Sequence, residues 1–466
     1  MVSGKATAIA SNGSFWKQSE HLLERHPVLT LTSVYVFCVL VFLASVPFPH
    51  VDGHLVGSDG AFYYAYLPTL LLDHDLDFRN QYASLVPEKH LSRIKESVTG
   101  KLPNKWAIGS AVLWTPFFLI GHLLAMGMKA AGYAVQLDGI GYIYQIPTLI
   151  GSITYGFAGF LLIYRSCRRF FKRSSSALAT VWIWLASSVI YYTTAESSMS
   201  HACSLFATAL FLALWIEFRP MPKPRQWFFL GLSGGLVLLV RQPDATWLLL
   251  PVIDALWAFR RHLEAPWRSR LAGFFVYGAA ACVVFAPQMA IWRILQGAVT
   301  QSGYPQGGHA WHLDTGILRM LFSLKHGFYA WHPVLILATI GIVLLYRTHR
   351  VQALLLGLGF LFQVCLIGIW QGWSGGDAFG GRMLISSIPA MALGLAAFVD
   401  WSFKRGTTRG VLILACALIL WNGLFFVQYR FGYISKRKTI TVNELFLGKF
   451  LMLKDIAGRI QDLIRR

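Results

Sequence analysis

The sequence predicts an all-α polytopic membrane protein, and three observations carry that prediction. Of 466 residues, 55% are hydrophobic and only 13% are charged, against about 25% charged in soluble domains. Mean hydropathy is +0.52. Apolar stretches of roughly 17 to 23 residues recur along the chain, the length that crosses a hydrocarbon core of ~30 Å as a helix.

Charge and cysteine usage narrow the class. A net charge of +20 would suggest nucleic acid as the partner of a soluble protein. Here the Lys and Arg residues gather in short loops between apolar stretches, as cytoplasmic loops of membrane proteins do, so no nucleic-acid partner is expected. Cys38, Cys167, Cys203, Cys282, Cys365 and Cys416 are scattered, mostly inside apolar runs, without paired spacing for metal or redox chemistry.

Taken in order, the chain begins with a polar segment, so the run 28–46 reads as a first span rather than a cleavable signal. A long outer loop, 47–141, follows. Inside it Trp106–Met128 is apolar enough to cross, but crossing would place the basic segment Arg165–Arg173 on the same side as Asp59. Trp106, Pro116, His122 and several glycines suit an interfacial or broken helix instead. Further spans are expected at 142–164, 177–193, 201–218, 227–240, 245–259, 271–293, 332–346, 351–370, 383–400 and 410–428. That makes about 11 transmembrane helices of spanning length, plus juxtamembrane helices in the first outer loop. Arg168, Arg169, Lys172, Arg173, Arg260, Arg261, Lys404 and Arg405 then face the cytoplasm with the N-terminus, and few cations face outward. Residues 1–430 are one transmembrane domain, and 431–466 form a basic amphipathic tail. The end of that tail, LFLGKFLMLKDIAGRIQDLIRR, has the periodicity of a helix lying on a membrane surface.

The outward charges sit at span ends. Asp59 opens SDGAFYYAYLPTLLL, a short amphipathic helix that carries Tyr63 and Tyr64; it suits both an N-cap and a general base. DHDLDF, from Asp73 to Phe78, has alternate acids of metal-ligand character, with a solvated turn as the plainer reading. Lys105 stands just before the 106–128 stretch. Glu196 and His201 bracket the turn TTAESSMSHACS, where a solvated glutamate and a packed histidine are the plain alternatives. Arg241 precedes Pro243, which ends the helix before it, with Asp244 as a candidate partner. Arg382 closes WQGWSGGDAFGGR, where Asp377 sits among glycines that let backbone approach a ligand. The segment from Gly303 to Pro333 holds His309, His312, Lys325, His326 and His332.

One carboxylate with several cations at a water–lipid boundary suits transfer of a sugar from a lipid-linked phosphate. The acceptor hydroxyl needs a base within hydrogen-bond reach. The departing phosphate needs cationic stabilisation more than an acid. Aromatic rings offer faces for the sugar.

These stretches resemble the GT-C superfamily of integral-membrane glycosyltransferases, especially the bacterial branch related to protein O-mannosyltransferases and the lipid A aminoarabinose transferase. SDGAFYYAYLPTLLLDHDLDF is similar to that family's acidic first outer loop, with Asp59 in place and Gly60 where a second acid would stand. Lys105-Trp106 resembles its lysine at the head of a juxtamembrane helix, TTAESSMSHACS its acidic turn, and LGLSGGLVLLVRQP its glycine-rich span ending in Arg-Pro. The resemblance implies an inverting transferase on the outer face of the cytoplasmic membrane. It would take a polyprenyl-phosphate sugar donor and an envelope acceptor that is a lipid-linked saccharide, a polysaccharide or a protein. In that reading Asp59 is the base, and Arg241, Arg382 and Lys105 hold the donor phosphate. Glu196, His201, Tyr63, Tyr64, Asp377, Lys325 and His326 position acceptor or sugar. No cofactor is required; a divalent metal, if used, would fall to Asp59, Glu196 and His201. A lipid or lipid-linked saccharide flippase would instead place polar groups near the bilayer midplane, often with internal repeats. A non-catalytic subunit of an envelope-assembly complex is the third class.

Overall fold

A computed structural model of the chain describes residues 18, 20–50, 52–260, 267–302 and 316–464; His309 and His312 lie outside them. The described residues fold into helices: α1 (Pro27–Ser45), α2 (Asp59–Leu71), α3 (Arg79–Leu85), α4 (Gly109–Ala130), α5 (Tyr142–Cys167), α6 (Arg173–Ala186), α7 (His201–Phe218), α8 (Pro224–Val240), α9 (Leu249–Phe259), α10 (Trp267–Gln296), α11 (Gly316–Phe322), α12 (Val334–Leu345), α13 (Arg350–Gly368), α14 (Ile388–Lys404), α15 (Thr408–Arg430) and α16 (Leu447–Ile464). Among the described residues, 8 helical segments are long and apolar enough to cross a membrane: α1, α4, α5, α7, most of α10, α13, α14 with its preceding turn, and α15. This is a multi-pass membrane protein.

Eleven continuous spans are not what the described residues form. α4, expected to lie along the membrane, has the length and apolarity of a span. The expected span 177–193 is interrupted: α6 ends at Ala186, Ser187 is extended, and a short helical turn Val189–Tyr192 follows. Backbone freed by such a break needs a partner inside a membrane, and Asn422 Nδ2 supplies one, donating to the Leu185 carbonyl at 2.8 Å and the Ser187 carbonyl at 2.9 Å. The expected span 245–259 is likewise divided into a 3-10 turn, Gln242–Leu248, and α9.

The chain divides into two compact units. One takes the described parts of Tyr35–Leu162 and Tyr192–His309. Here α8 packs on α10 through glycines: a Cβ on Gly231 would come within 2.4 Å of the Tyr277 carbonyl, and one on Gly235 within 2.6 Å of the Ala281 carbonyl. Small residues on one face let two membrane helices approach backbone to backbone. The other unit takes the described parts of Met1–Val34, Ile163–Tyr191 and Ala310–Arg466. In it α12 and α14 meet at Gly341, whose Cβ would fall 1.7 Å from the Gly394 carbonyl.

Acids on these apolar elements have partners. Asp254 of α9, buried, accepts from Arg219 Nε and Nη2 at 2.8 Å each and from Trp215 Nε1 at 3.0 Å. Asp400 of α14 faces Lys404 Nζ at 2.7 Å and accepts from Ser175 Oγ at 3.2 Å. Such pairing is what a carboxylate inside a low-dielectric core requires.

Candidate functional site

The first cluster lies in the unit holding α2, α4, α7 and α8. Asp59 is the first residue of α2, half-buried, preceded by Ser58 at φ 52. A carboxylate there meets the positive end of the helix dipole. Directly behind it Gly60 touches the turn before α7: a Cβ at 60 would stand 2.2 Å from Ser198 Oγ. Ser198 Oγ in turn donates to Glu196 Oε1 at 3.1 Å, and His50 Nε2 lies 3.5 Å from the same oxygen. His50 also packs against Gly57, where a Cβ would come within 2.4 Å of its ring. The loop before α2 is therefore folded over Glu196, and Asp59 and Glu196 belong to one neighbourhood.

The aromatic residues of α2 bring in Lys105. Phe62 stacks on Trp106 with centroids 4.0 Å apart, and Tyr63 meets the same ring edge-on at 6.5 Å. Tyr66 donates its hydroxyl to the Trp106 carbonyl at 3.0 Å, and Asn104 Nδ2 donates to the Phe62 carbonyl at 2.9 Å. Lys105 Nζ sits 4.5 Å from the Trp106 centroid. A few residues on, Gly109 starts α4 against the end of α8, where its Cβ would be 2.4 Å from Leu239 backbone. Arg241 follows at the C-cap of α8, extended at φ −157, and is buried. Asp244 takes a hydrogen bond from Ser204 Oγ at 2.7 Å and donates its backbone N–H to the Arg241 carbonyl at 3.1 Å. His201 begins α7, buried, its ring edge-to-face with Tyr192 at 4.6 Å.

The second cluster lies in the other unit, around the glycine-rich loop before α14. Gly375, Gly376 and Gly380 have φ of +71, +67 and +63, the left-handed region that glycine adopts without strain. Arg382, buried, donates Nη2 to the Gly375 carbonyl. His326, also buried, holds its Nδ1 2.9 Å from the Ser374 carbonyl. A carbonyl only accepts, so Nδ1 carries the proton and Nε2 has the lone pair. Burial drives His326 down to about 4, with Lys325 and Arg382 adding repulsion, so it is neutral at neutral pH. Asp377 is paired with Arg437, whose Nε lies 2.9 and 3.1 Å from its two oxygens.

Asp59, Tyr63, Lys105, Glu196, His201 and Arg241 thus share one unit, and Lys325, His326, Asp377 and Arg382 the other. Tyr64 has another role than the sugar-facing one expected: it is fully buried, with its hydroxyl donated to the Gly139 carbonyl at 2.8 Å. The DHDLDF acids serve local structure. Asp73 accepts from Asn80 and Gln81, and Asp77 pairs with Arg79 at 2.6 Å. Among the described residues no three His, Cys, Asp or Glu side chains are grouped to hold a metal ion, and that includes Asp59, Glu196 and His201. His50 and Arg437 were not singled out in the sequence. The signal for His50 was the nearby glycine at 57, with no side chain to keep a ring away.

Comparison with known proteins gives the fold. The chain superposes on apo ArnT from Cupriavidus metallidurans with a TM-score of 0.53, over 91% of this chain and 75% of that one, at 14% identity. This is the GT-C fold. ArnT from the same organism bound to undecaprenyl phosphate gives a TM-score of 0.50 over 94% of this chain and 72% of that one, at 13% identity. A family model for dolichyl-phosphate-mannose-protein mannosyltransferases matches residues 143–292. That stretch contains α6–α9 with most of α5 and α10, and with them Glu196, His201 and Arg241. No curated protein matches the chain.

Proposed function

We propose that this protein is a GT-C type glycosyltransferase that moves a sugar from a polyprenyl-phosphate donor to a cell-envelope acceptor at the outer face of the cytoplasmic membrane. The observation that carries the reading is the neighbourhood of Asp59: a carboxylate at a helix N-terminus, against the Ser198–Glu196 turn, in the same unit as Lys105 and Arg241. The donor class is supported by the GT-C fold and by the relative solved with undecaprenyl phosphate.

In the proposed reaction Asp59 accepts the acceptor hydroxyl's proton as its oxygen bonds to the anomeric carbon. The bond from that carbon to the phosphate oxygen breaks on the opposite face, so configuration inverts. Polyprenyl phosphate departs with the electron pair, and Arg241 and Lys105 offset its charge. Glu196, held by Ser198 and His50, orients the acceptor. The acceptor is a lipid-linked saccharide, a polysaccharide or a protein. The chemistry needs no cofactor.

The test is purified protein in liposomes with a radiolabelled polyprenyl-phosphate sugar. Asp59→Asn is expected to abolish release of polyprenyl phosphate while the elution profile and thermal unfolding stay unchanged. Full release by that variant, or movement of donor across the bilayer without bond cleavage, refutes the reading.

A further inference from the structure

The C-terminal tail does not leave the molecule after α15; it turns back. Lys449 of α16 is buried, with Nζ 4.2 Å from the Trp421 ring centroid and 4.0 Å from that of Phe425. It donates to Gln428 Oε1 at 3.1 Å and to the Leu445 carbonyl at 2.6 Å. Phe446 meets Trp421 at 5.1 Å. Gly448 lies against Gln428, where a Cβ would be 3.0 Å from Nε2. Trp421, Phe425 and Gln428 belong to the last turns of α15, an apolar helix of spanning length that ends at Arg430. At about 1.5 Å of rise per residue, Trp421 lies about 13 Å before that end. The start of α16 is therefore level with the final turns of a membrane span.

At that level α16 turns large apolar side chains away from the protein. Phe446, Leu447, Phe450, Leu451 and Leu453 are 44–67% exposed, as is Leu420 on α15 at 64%. Five such side chains in water would form an apolar patch of the kind monomers avoid. Leu420 lies on a helix of spanning length, next to Trp421, which Phe446 touches. Lys436, Arg437 and Lys438 are on the segment before α16, and exposed Lys454 stands one turn on from Phe450 and Leu451, where a long basic side chain buries its stem and reaches the headgroups from an interfacial helix.

We infer that α16 is an interfacial helix seated in the lipid leaflet where α15 ends, with Phe446, Leu447, Phe450, Leu451 and Leu453 in the upper hydrocarbon and Lys449 clamping it to α15. The inference is independent of the catalytic reading. It is tested on the full chain in vesicles of phosphatidylcholine with a minority of phosphatidylglycerol, with exposed Cys282 and Cys416 changed to serine. A bimane label on Leu451→Cys should be quenched several-fold more by lipids carrying a nitroxide high on the acyl chain than a label on Lys438→Cys, on the exposed basic segment before α16. The Lys438→Cys label should respond instead to aqueous iodide. Iodide quenching of the Leu451→Cys label overturns the inference, since that surface is then in water. Shielding from both quenchers also overturns it, because a protein surface, such as a second copy of the chain, then covers the helix.

Discussion

Gly60 touches Ser198 so closely that a Cβ at 60 would stand 2.2 Å from Ser198 Oγ and 3.0 Å from its carbonyl oxygen. The contact explains why the residue after Asp59 has no side chain: the space a second acid would fill is taken by the turn that carries Glu196. Gly60→Ala is expected to push that turn away, at a cost of about 1–3 kcal/mol for overpacking, and to lower turnover. The double variant with Ser198→Gly should recover part of both losses, because the closest clash is with the serine side chain. Thermal unfolding in detergent micelles and donor turnover check it; an unperturbed Gly60→Ala protein would disprove the close contact.

Arg241 is buried at the C-cap of α8. If it holds the departing phosphate, Arg241→Ala should lower kcat by about 10²–10³-fold, the usual loss on removing one preorganised donor. Arg241→Lys keeps the charge but loses the fork of two parallel N–H donors, so it should fall between. Steady-state kinetics on purified donor decide this, and a Lys variant as active as the parent would remove the two-pronged role.

Asp254 is a structural acid with no place in the proposed chemistry. Removing it strands the Arg219 guanidinium and the Trp215 N–H that it now accepts from. Asp254→Ala should cost about 3–5 kcal/mol, as when one partner of a buried pair is deleted. The melting temperature should fall clearly, with turnover of the surviving folded protein intact at low temperature.

The composition made the membrane class legible, and span-end residues led to much of the first cluster, because charges at a lipid boundary are costly unless held. What the sequence hid were interactions between distant positions. The stretch 177–193 is mostly apolar, with Ser187 and Ser188 at the break, and that break is tolerated through Asn422, 235 residues from Ser187. Asp377 reads as a loop acid until Arg437, 60 residues on, is seen to hold it. Tyr64 and Tyr63 are neighbours of the same type, and only packing shows that one meets Gly139 and the other Trp106. The expectation for α4 rested on loop charge and on Trp106, Pro116, His122 and several glycines, and none of these bears on helix length, since Pro116 is accommodated inside α4.

Lys449 makes the seating of α16 pH-dependent. Burial pushes its ammonium down from 10.5 to about 7, so the clamped helix holds fewer protons than the released one between those limits. Docking should therefore be weakest below about pH 7, where both forms carry the charge, and should strengthen as pH rises toward 10.5. The side chains packed on it, Trp421, Phe425 and Gln428, do not titrate, and Glu444 on the adjoining turn is engaged by Thr441. Hydrogen exchange of amides 447–453, corrected for intrinsic rate, should show protection rising from pH 6 to pH 9. Lys449→Met keeps the aliphatic packing without the titration and should flatten that rise. A Met variant that retains the full pH dependence would locate the switch elsewhere.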